Sequence, residues 1–207
     1  MTAEVSVSTR PRLSALDGRH LRSERTRQTM IEAYLKLVRQ NGRVPTGAEV
    51  ARQAGYALRS VFERFTSMDE LNLAALDHAM AQSRGDMVVT EVEADRPARL
   101  RQHVDARARV CEEWLPLWRV STILMRGAHR PLLASRLEKA HQEDAVWLDQ
   151  FYRAELQPMP ADRRARACAI LATLTSFESW DLLRHAVGLS LQESKQAWCE
   201  TIDRLLV

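Results

Sequence analysis

The sequence is poor in the features that mark disulfide-rich, metal-bound and membrane proteins. Its three cysteines, Cys111, Cys168 and Cys199, lie far apart, are odd in number and form no C-x-x-C pair. We therefore expect ordinary buried thiols instead of a disulfide framework or a zinc knuckle. No stretch approaches the ~18 apolar residues of a membrane span. The N-terminal "MTAEVSVSTRPRL" also lacks the apolar centre of a signal peptide. These absences predict a cytoplasmic protein without membrane contact.

Enzyme motifs are also missing. The sequence contains no H-E-x-x-H, no glycine-rich phosphate loop and no G-x-S-x-G, and its six histidines are scattered. We therefore expect no enzyme, no catalytic residues, no metal site and no cofactor.

Glycine and proline are sparse, with seven of each in 207 residues, and they separate segments of helical character. Apolar residues recur at spacings of three and four from Met30 onwards, and no period-two alternation bounded by turns is present. The overall composition is that of a globular protein. This pattern predicts an all-α protein of about nine helices.

Charge is distributed unevenly along the chain. Residues 1–64 hold twelve Lys and Arg against six Asp and Glu, whereas the remainder holds eighteen against twenty-one. A basic N-terminal part indicates a polyanionic partner, although a solvated basic face without a partner would give the same count.

The segment "TGAEVARQAGYALRSVFERF", residues 46–65, has the pattern of two short helices around a glycine corner. Thr46 and Glu49 form a capping-box pattern, and Gly55 is placed to end the first helix. Val61 and Phe65 lie at i, i+4 on an inward face, which leaves polar and basic residues outside. A helix-turn-helix has this layout, and its second helix can enter the DNA major groove.

A series of positions from about Arg27 to Leu71 agrees in order with one known family. These positions are Arg27, Met30, Ile31, Ala33, Leu37, Val38 and Gly42, then Thr46, Val50, Ala51, Ala54 and Gly55, then Ser60, Val61, Phe62 and Phe65, and finally Ser67, Asp69 and Leu71. With them the N-terminal part resembles the TetR family of bacterial transcriptional regulators, and the C-terminal "FESWDLLRHAVGLSLQESKQAWCETIDRLL" is a weaker match to the last two helices of many members.

Three positions depart from the family pattern. Ala57 replaces a usual serine cap, Phe62 a usual tyrosine and Met68 a usual lysine. Three phosphate contacts are therefore in question. Arginines elsewhere are expected to compensate, because phosphate binding needs positive charge more than exact placement. These are Arg19, Arg22, Arg25, Arg27, Arg59 and Arg64.

Within this resemblance, Arg59 is the expected base-reading residue, through bidentate bonds to guanine. Leu58 is expected to meet a thymine methyl or else to be simply an exposed leucine. Thr46 and Ser60 are expected to contact phosphate or sugar, and capping and local helix packing are the equally open alternative for both. The remaining residues expected at the DNA are Arg25, Arg27, Phe62, Arg64 and Ser67.

The C-terminal two thirds is expected to bind an effector and to form a homodimer. We divide the chain into a flexible basic arm (1–22), a helix-turn-helix DNA-binding domain (23–68) and a helical effector-binding and dimerisation domain (69–207). Residues 167–187 and the final helix carry apolar residues on several faces, which suits a four-helix dimer interface. Its expected residues are Trp180, Leu183, Val187, Trp198, Ile202 and Leu205. Packing within one chain is the alternative.

Aromatic residues of the second domain are the candidates for an effector pocket, although core packing would also explain them. Asp144 interrupts an apolar stripe near His141. Because burying an unpaired carboxylate is costly, Asp144 is expected either at the solvent-exposed edge of the stripe or facing a polar cavity or a cation. The expected ligand-binding residues are Trp114, Trp118, Met125, Asp144, Trp147, Phe151 and Phe177.

Taken together, the sequence predicts a homodimeric regulator released from a palindromic double-stranded DNA operator by a small, largely apolar effector. A DNA-binding architectural protein without small-molecule control is the closest alternative. An adaptor whose basic arm binds another acidic partner is a further one.

Overall fold

The computed structural model describes the backbone of residues 15–87, 95–124 and 130–207. Within these ranges the chain is helical and contains no strand, which confirms the all-α prediction. Ten α-helices are present in these ranges, one more than expected. Their bounds are α1 Ala15–Asn41, α2 Gly47–Ala54, α3 Leu58–Phe62, α4 Met68–Asp86, α5 Arg96–Leu124, α6 Arg130–Phe151, α7 Arg153–Leu156, α8 Ala161–Leu174, α9 Phe177–Asp181 and α10 Leu191–Leu205. A π-helical turn, Leu182–Ala186, continues α9.

The first three helices form the predicted helix-turn-helix. Gly42 (φ 62°) and Gly55 (φ 76°) end α1 and α2 in the left-handed conformation that favours glycine. Val50, Val61 and Phe65 are buried against α1, as their spacing predicted. The corner between α2 and α3 is therefore fixed by one glycine and by three apolar side chains.

Capping follows the sequence pattern at α2 and α10. Thr46 and Glu49 make both bonds of the predicted capping box, and so do Ser190 and Glu193. At α4, Ser67 and Glu70 have the spacing of a capping box, but only one of its two hydrogen bonds forms. Ser67 accepts a hydrogen bond from the backbone N–H of Glu70, but the Glu70 carboxylate accepts from the N–H and hydroxyl of Thr66 instead.

The helix-turn-helix and the second domain share one core. Met30, Tyr34 and Val38 of α1 belong to the same buried cluster as Trp114 and Val120 of α5. A second cluster joins α5 to the C-terminal helices. Helix α5 therefore connects the helix-turn-helix to the helices expected to bind an effector.

Two expectations about helix bounds were wrong. Residues 15–22, placed in the flexible arm, form the first turns of α1, and residues 1–14 lie outside the described ranges. Residues 167–187, expected as one helix, divide at Thr175 and Ser176. The Thr175 hydroxyl donates back to the Leu171 carbonyl, and Ser176 caps the next helix by accepting from the N–H of Ser179.

Three residues expected at the dimer interface lie in the core of the single chain. Trp180 and Trp198 are fully buried against each other, with ring centroids 4.5 Å apart, and Ile202 is also fully buried. A partner chain cannot reach them without unpacking α10 from α5 and α8. The interface assignment of these three residues was therefore wrong.

The second core contains one polar pair. His103 Nδ1 lies 2.7 Å from the Tyr152 hydroxyl, and burial lowers the pKa of His103 to about 3. The rings of Trp147 and Phe151 surround the imidazole. The pair therefore stays neutral at physiological pH.

Across the described helices, none combines the length and the hydropathy that a membrane span requires.

Candidate nucleic-acid interface and effector pocket

Helix α3 presents an exposed mixed face. The Arg59 side chain is 88% exposed and its Nε lies 3.1 Å from the Glu63 carboxylate one turn later. Leu58 is 45% exposed and Phe62 is 51% exposed. An arginine held only by a surface ion pair is free to exchange that carboxylate for a base edge. The geometry is that of a short helix that presents one exposed cation and two partly exposed apolar side chains.

Gly47, at the start of α2, allows α3 to pack closely. A Cβ at this position would lie 3.2 Å from Leu58 Cδ1 and 3.2 Å from Phe62 Cζ, tighter than ordinary contact. The side chains of Leu58 and Phe62 therefore rest on the first turn of α2 while exposing their outer edges. The sequence pattern gave no sign of this role of Gly47.

The start of α2 is already a hydrogen-bonded unit. The Thr46 hydroxyl accepts from the Glu49 N–H, and the Arg43 guanidinium donates to the Glu49 carboxylate at 2.5 Å and 3.1 Å. The Arg43 hydrogen bond, with those from Thr46, lowers the pKa of Glu49 to about 2. Arg43 was not among the expected DNA contacts, although its exposure beside Thr46 makes it a candidate for one.

The other expected DNA residues lie on α1, on and just after α3, and at the start of α4. Arg27 stacks over the Phe65 ring, with its guanidinium carbon 4.9 Å from the centroid, whereas Arg25 is exposed on α1. Ser60 and Arg64 are half-buried, and Ser67 caps α4. Tyr56, which was not among the expected DNA residues, is 40% exposed in the turn just before α3.

Ala57 occupies the N-cap of α3 without a side-chain bond. Its backbone is extended (φ −72°, ψ 149°), which is the conformation that a capping serine needs. We predict that Ala57→Ser raises the free energy of unfolding by about 1 kcal/mol, and that Thr46→Ala, which removes a formed cap, lowers it by a similar amount. Urea denaturation measures both. An unchanged midpoint for Ala57→Ser would show that water already satisfies the first N–H groups of α3.

A hollow in the second domain lies between α4, α5, α6 and the α8–α9 junction. Its inner chamber has a volume of about 100 Å³ and apolar walls that include Trp114, Trp118 and Phe177. The Trp118 and Phe177 rings are nearly parallel, at 11°, with centroids 6.4 Å apart. An outer chamber of about 410 Å³ adjoins it and reaches Met87 and Trp147. The volume of the outer chamber, even without the inner one, falls in the ~300–1,000 Å³ range of small-molecule sites.

Charged residues line the passage between the two chambers. Arg84 is paired with Glu143, and Arg107 faces Asp144. The Arg107 Nε donates to the Thr175 carbonyl at 2.6 Å, and the guanidinium carbon lies 5.3 Å from the Phe177 centroid. Arg107, which the sequence analysis missed, thus ties α5 to the α8–α9 junction.

The expected ligand residues divide into three groups. Trp114, Trp118, Asp144 and Phe177 line the inner chamber, and Trp147 lines the outer one with Asp144. Phe151 is instead buried beside His103, stacked on Trp147 at 4.8 Å, so its placement at the pocket was wrong. Met125 lies outside the described residues.

An exposed apolar strip follows α8 and the π-helical turn. Ile170 and Leu182 line one shallow groove, and Val187 lies beyond it; Leu182 and Val187 are 58% and 60% exposed. The Val187 N–H donates to the Leu182 carbonyl, a wide turn that places the two side chains on one side. Of the expected interface residues, Leu183 and Leu205 are half-buried and only Val187 is exposed.

Comparison with known proteins supports the fold. Neither the known protein families nor the curated proteins contain a match to this sequence. A solved transcriptional regulator from Rhodococcus sp. Rha1 aligns with a TM-score of 0.71 and 16% identity, over 87% of this chain and 95% of that chain. The multidrug binding protein EbrR, solved with imidazole, aligns with a TM-score of 0.57 and 22% identity, over 95% and 97%. The TetR-like fold indicated by the sequence is thereby confirmed.

Proposed function

We propose that the protein is a homodimeric transcriptional regulator that binds a palindromic DNA operator and, as a repressor, is released by a small molecule. The exposed Arg59 face of α3 is the observation that carries this proposal, because it stands on a helix-turn-helix whose core continues into the pocket-lining helix α5. Both structural neighbours agree with this reading. One is a transcriptional regulator and the other binds multiple drugs.

The strip along α8 and the π-helical turn is the proposed dimer surface. A contiguous exposed apolar surface of this kind marks an interaction site in soluble proteins. A two-fold axis through it would bring Ile170 and Leu182 of one chain against the same residues of the other. Dimerisation would also allow a recognition helix of only five residues, Leu58–Phe62, to reach useful affinity by reading two half-sites.

Trp114 is the proposed link between effector and DNA. Its ring lines the inner chamber, and the Arg39 guanidinium of α1 stacks on it with the carbon 4.3 Å from the centroid. Arg39 also donates to Glu113 at 2.9 Å. A ligand that moves Trp114 would therefore displace the C-terminal end of α1, close to the start of α2, and shift the population of dimers away from operator spacing.

Replacing Arg39 with methionine should weaken this link. The variant is expected to keep its operator affinity, whereas the change in that affinity produced by a pocket-binding compound should become about two- to fivefold smaller, since a cation–π contact contributes ~0.5–1 kcal/mol. Operator titrations with and without the compound measure the change. Arg109→Met is the control, because Arg109 is exposed on α5 and its side chain, among the residues that the structure describes, bonds to the Asp105 carbonyl one turn earlier. Equal responses in both variants would contradict the link.

An architectural DNA-binding protein would share the basic N-terminal part, but it does not require a charged, aromatic-lined pocket for a ligand. Selection of the purified protein on a random duplex library at two salt concentrations separates the two functions. Enrichment of an inverted repeat supports the regulator. DNA retention without an enriched motif, lost steeply with salt, supports the architectural protein.

A further inference from the structure

We propose that the effector is an aromatic carboxylate whose anionic group binds Arg107 in place of Asp144. This inference rests on the proposed function, because it names the ligand class of the same pocket. It replaces the largely apolar effector that the sequence alone predicted.

Arg107 is the most deeply placed charge at the inner chamber. Its side chain is only 12% exposed, and it has one strong hydrogen bond, from Nε to the Thr175 carbonyl. Within the described part of the chain, its terminal nitrogens make no hydrogen bond, and the nearest ionic partner, Asp144 Oδ2, is 3.6 Å from one of them. A buried guanidinium with unused donors favours a planar anion, which it can bind through two parallel hydrogen bonds.

Asp144 is a loosely held counter-ion. Its carboxylate is 45% exposed, and the 3.6 Å separation from Arg107 is too long for a hydrogen bond. An exposed carboxylate can turn into water at little cost, because surface ion pairs contribute little. A ligand carboxylate would therefore replace Asp144, which is a weak ionic partner of Arg107, and would itself form two hydrogen bonds with the guanidinium.

The surroundings of Arg107 fit an aromatic ring next to that carboxylate. Its guanidinium lies over Phe177, and Phe177 is parallel to Trp118 at the chamber wall. A benzene-sized ring matches an inner chamber of about 100 Å³, and larger groups would extend into the outer chamber. Phe177 and Trp118 would then contact the aromatic ring of the ligand, and the adjacent Arg107 would bind its carboxylate.

The remaining charges do not favour a cation in the chamber. Arg84 and Glu143 neutralise each other at the passage, where Lys139 also lies 3.9 Å from Glu143. Glu178 is exposed at the rim, where water screens it. A ligand cation would have to sit beside the buried Arg107 without displacing it, whereas an anion would complete its hydrogen bonding.

Three single-ring probes of similar size and different charge test the inference: benzoate, toluene and N-methylpyridinium. Their dissociation constants for the full-length protein can be obtained from ligand-observed NMR titrations. We expect benzoate to bind at least about tenfold more tightly than either of the others, since hydrogen bonds to a charged group are among the stronger ones. Equal binding of toluene, or preferential binding of N-methylpyridinium, would overturn the proposed ligand class.

Two variants sharpen this test. Asp144→Asn removes the competing carboxylate and should tighten benzoate binding several-fold, a gain that unfolding cannot produce. Arg107→Met should weaken it about tenfold, whereas Arg84→Met, which removes an arginine already paired with Glu143, should change it far less. Weaker benzoate binding by Asp144→Asn, or no binding of any probe to the wild type, would overturn the inference. Selection of an operator on random DNA would still succeed in those cases if the proposed function is correct.

Discussion

The variant Arg59→Ala is expected to lose at least about tenfold in affinity for the selected operator. Each bidentate arginine–guanine contact contributes ~1–3 kcal/mol of discrimination, and a dimer would lose one contact in each half-site. The structure supports this role because Arg59 is 88% exposed and its ionic partner within the described residues is Glu63, directly after the end of α3. Sequence preference should relax at one symmetric pair of positions, and affinity for random DNA should fall much less.

The matched control is Arg109→Ala. Arg109 is also an exposed arginine, hydrogen-bonded to the Asp105 carbonyl one turn earlier on its own helix α5, and it lies on neither α3 nor the proposed dimer strip. This variant should bind the operator like the wild type. If Arg59→Ala lowers affinity for operator and random DNA by the same factor, Arg59 contacts phosphate and the base-reading residue lies elsewhere on α3.

The variant Leu182→Glu is expected to split the dimer. A carboxylate at this position would be buried without a partner, twice in a symmetric interface, and an unpaired buried charge costs several kcal/mol. We expect the dimer dissociation constant to rise by about a hundredfold or more. Operator affinity should fall with it, because a single chain reads only one half-site. Sedimentation equilibrium gives the first quantity and operator titration the second.

Leu132→Glu is the control for this change. Leu132 is exposed to a similar extent, at 52%, but it lies on α6 away from the strip formed by Ile170, Leu182 and Val187. It should remain dimeric. A dimeric Leu182→Glu protein, or a monomeric wild type with full operator affinity, would contradict the proposed interface.

Local chemistry made the helix-turn-helix predictable from the sequence. Thr46 and Glu49 cap α2 with their own hydrogen bonds, and Gly55 adopts the left-handed conformation required at a corner. Such signals depend on residues within a few positions of each other. The uncapped start of α3 followed in the same way from the alanine at position 57.

The dimer surface was less predictable, because periodicity shows which face of a helix is apolar but not which neighbour covers it. From the sequence, the apolar stripe of Trp198 and Ile202 could pack against a partner chain or against its own chain. In the structure it packs against α5 and α8 of its own chain. The break at Thr175 and Ser176 redirects α9 and leaves Leu182 exposed instead.

The pocket was predictable in part. Asp144 stood out because it interrupts an apolar stripe, and it is indeed both partly exposed and opposite a cation. That cation, Arg107, gave no local signal, since an arginine among other charged residues of α5 looks like a solvated side chain. Its burial results from the packing of α6 and the α8–α9 junction against α5, which no single segment encodes.

The most direct test of sequence reading by a dimer is a competition measurement. The selected duplex and a scrambled duplex of the same composition would be compared for binding to the full-length protein at two salt concentrations. We predict a preference of at least about a thousandfold for the selected duplex near physiological salt, with two chains bound per duplex. A preference near one at both salt concentrations would contradict the account and leave only non-specific electrostatic binding.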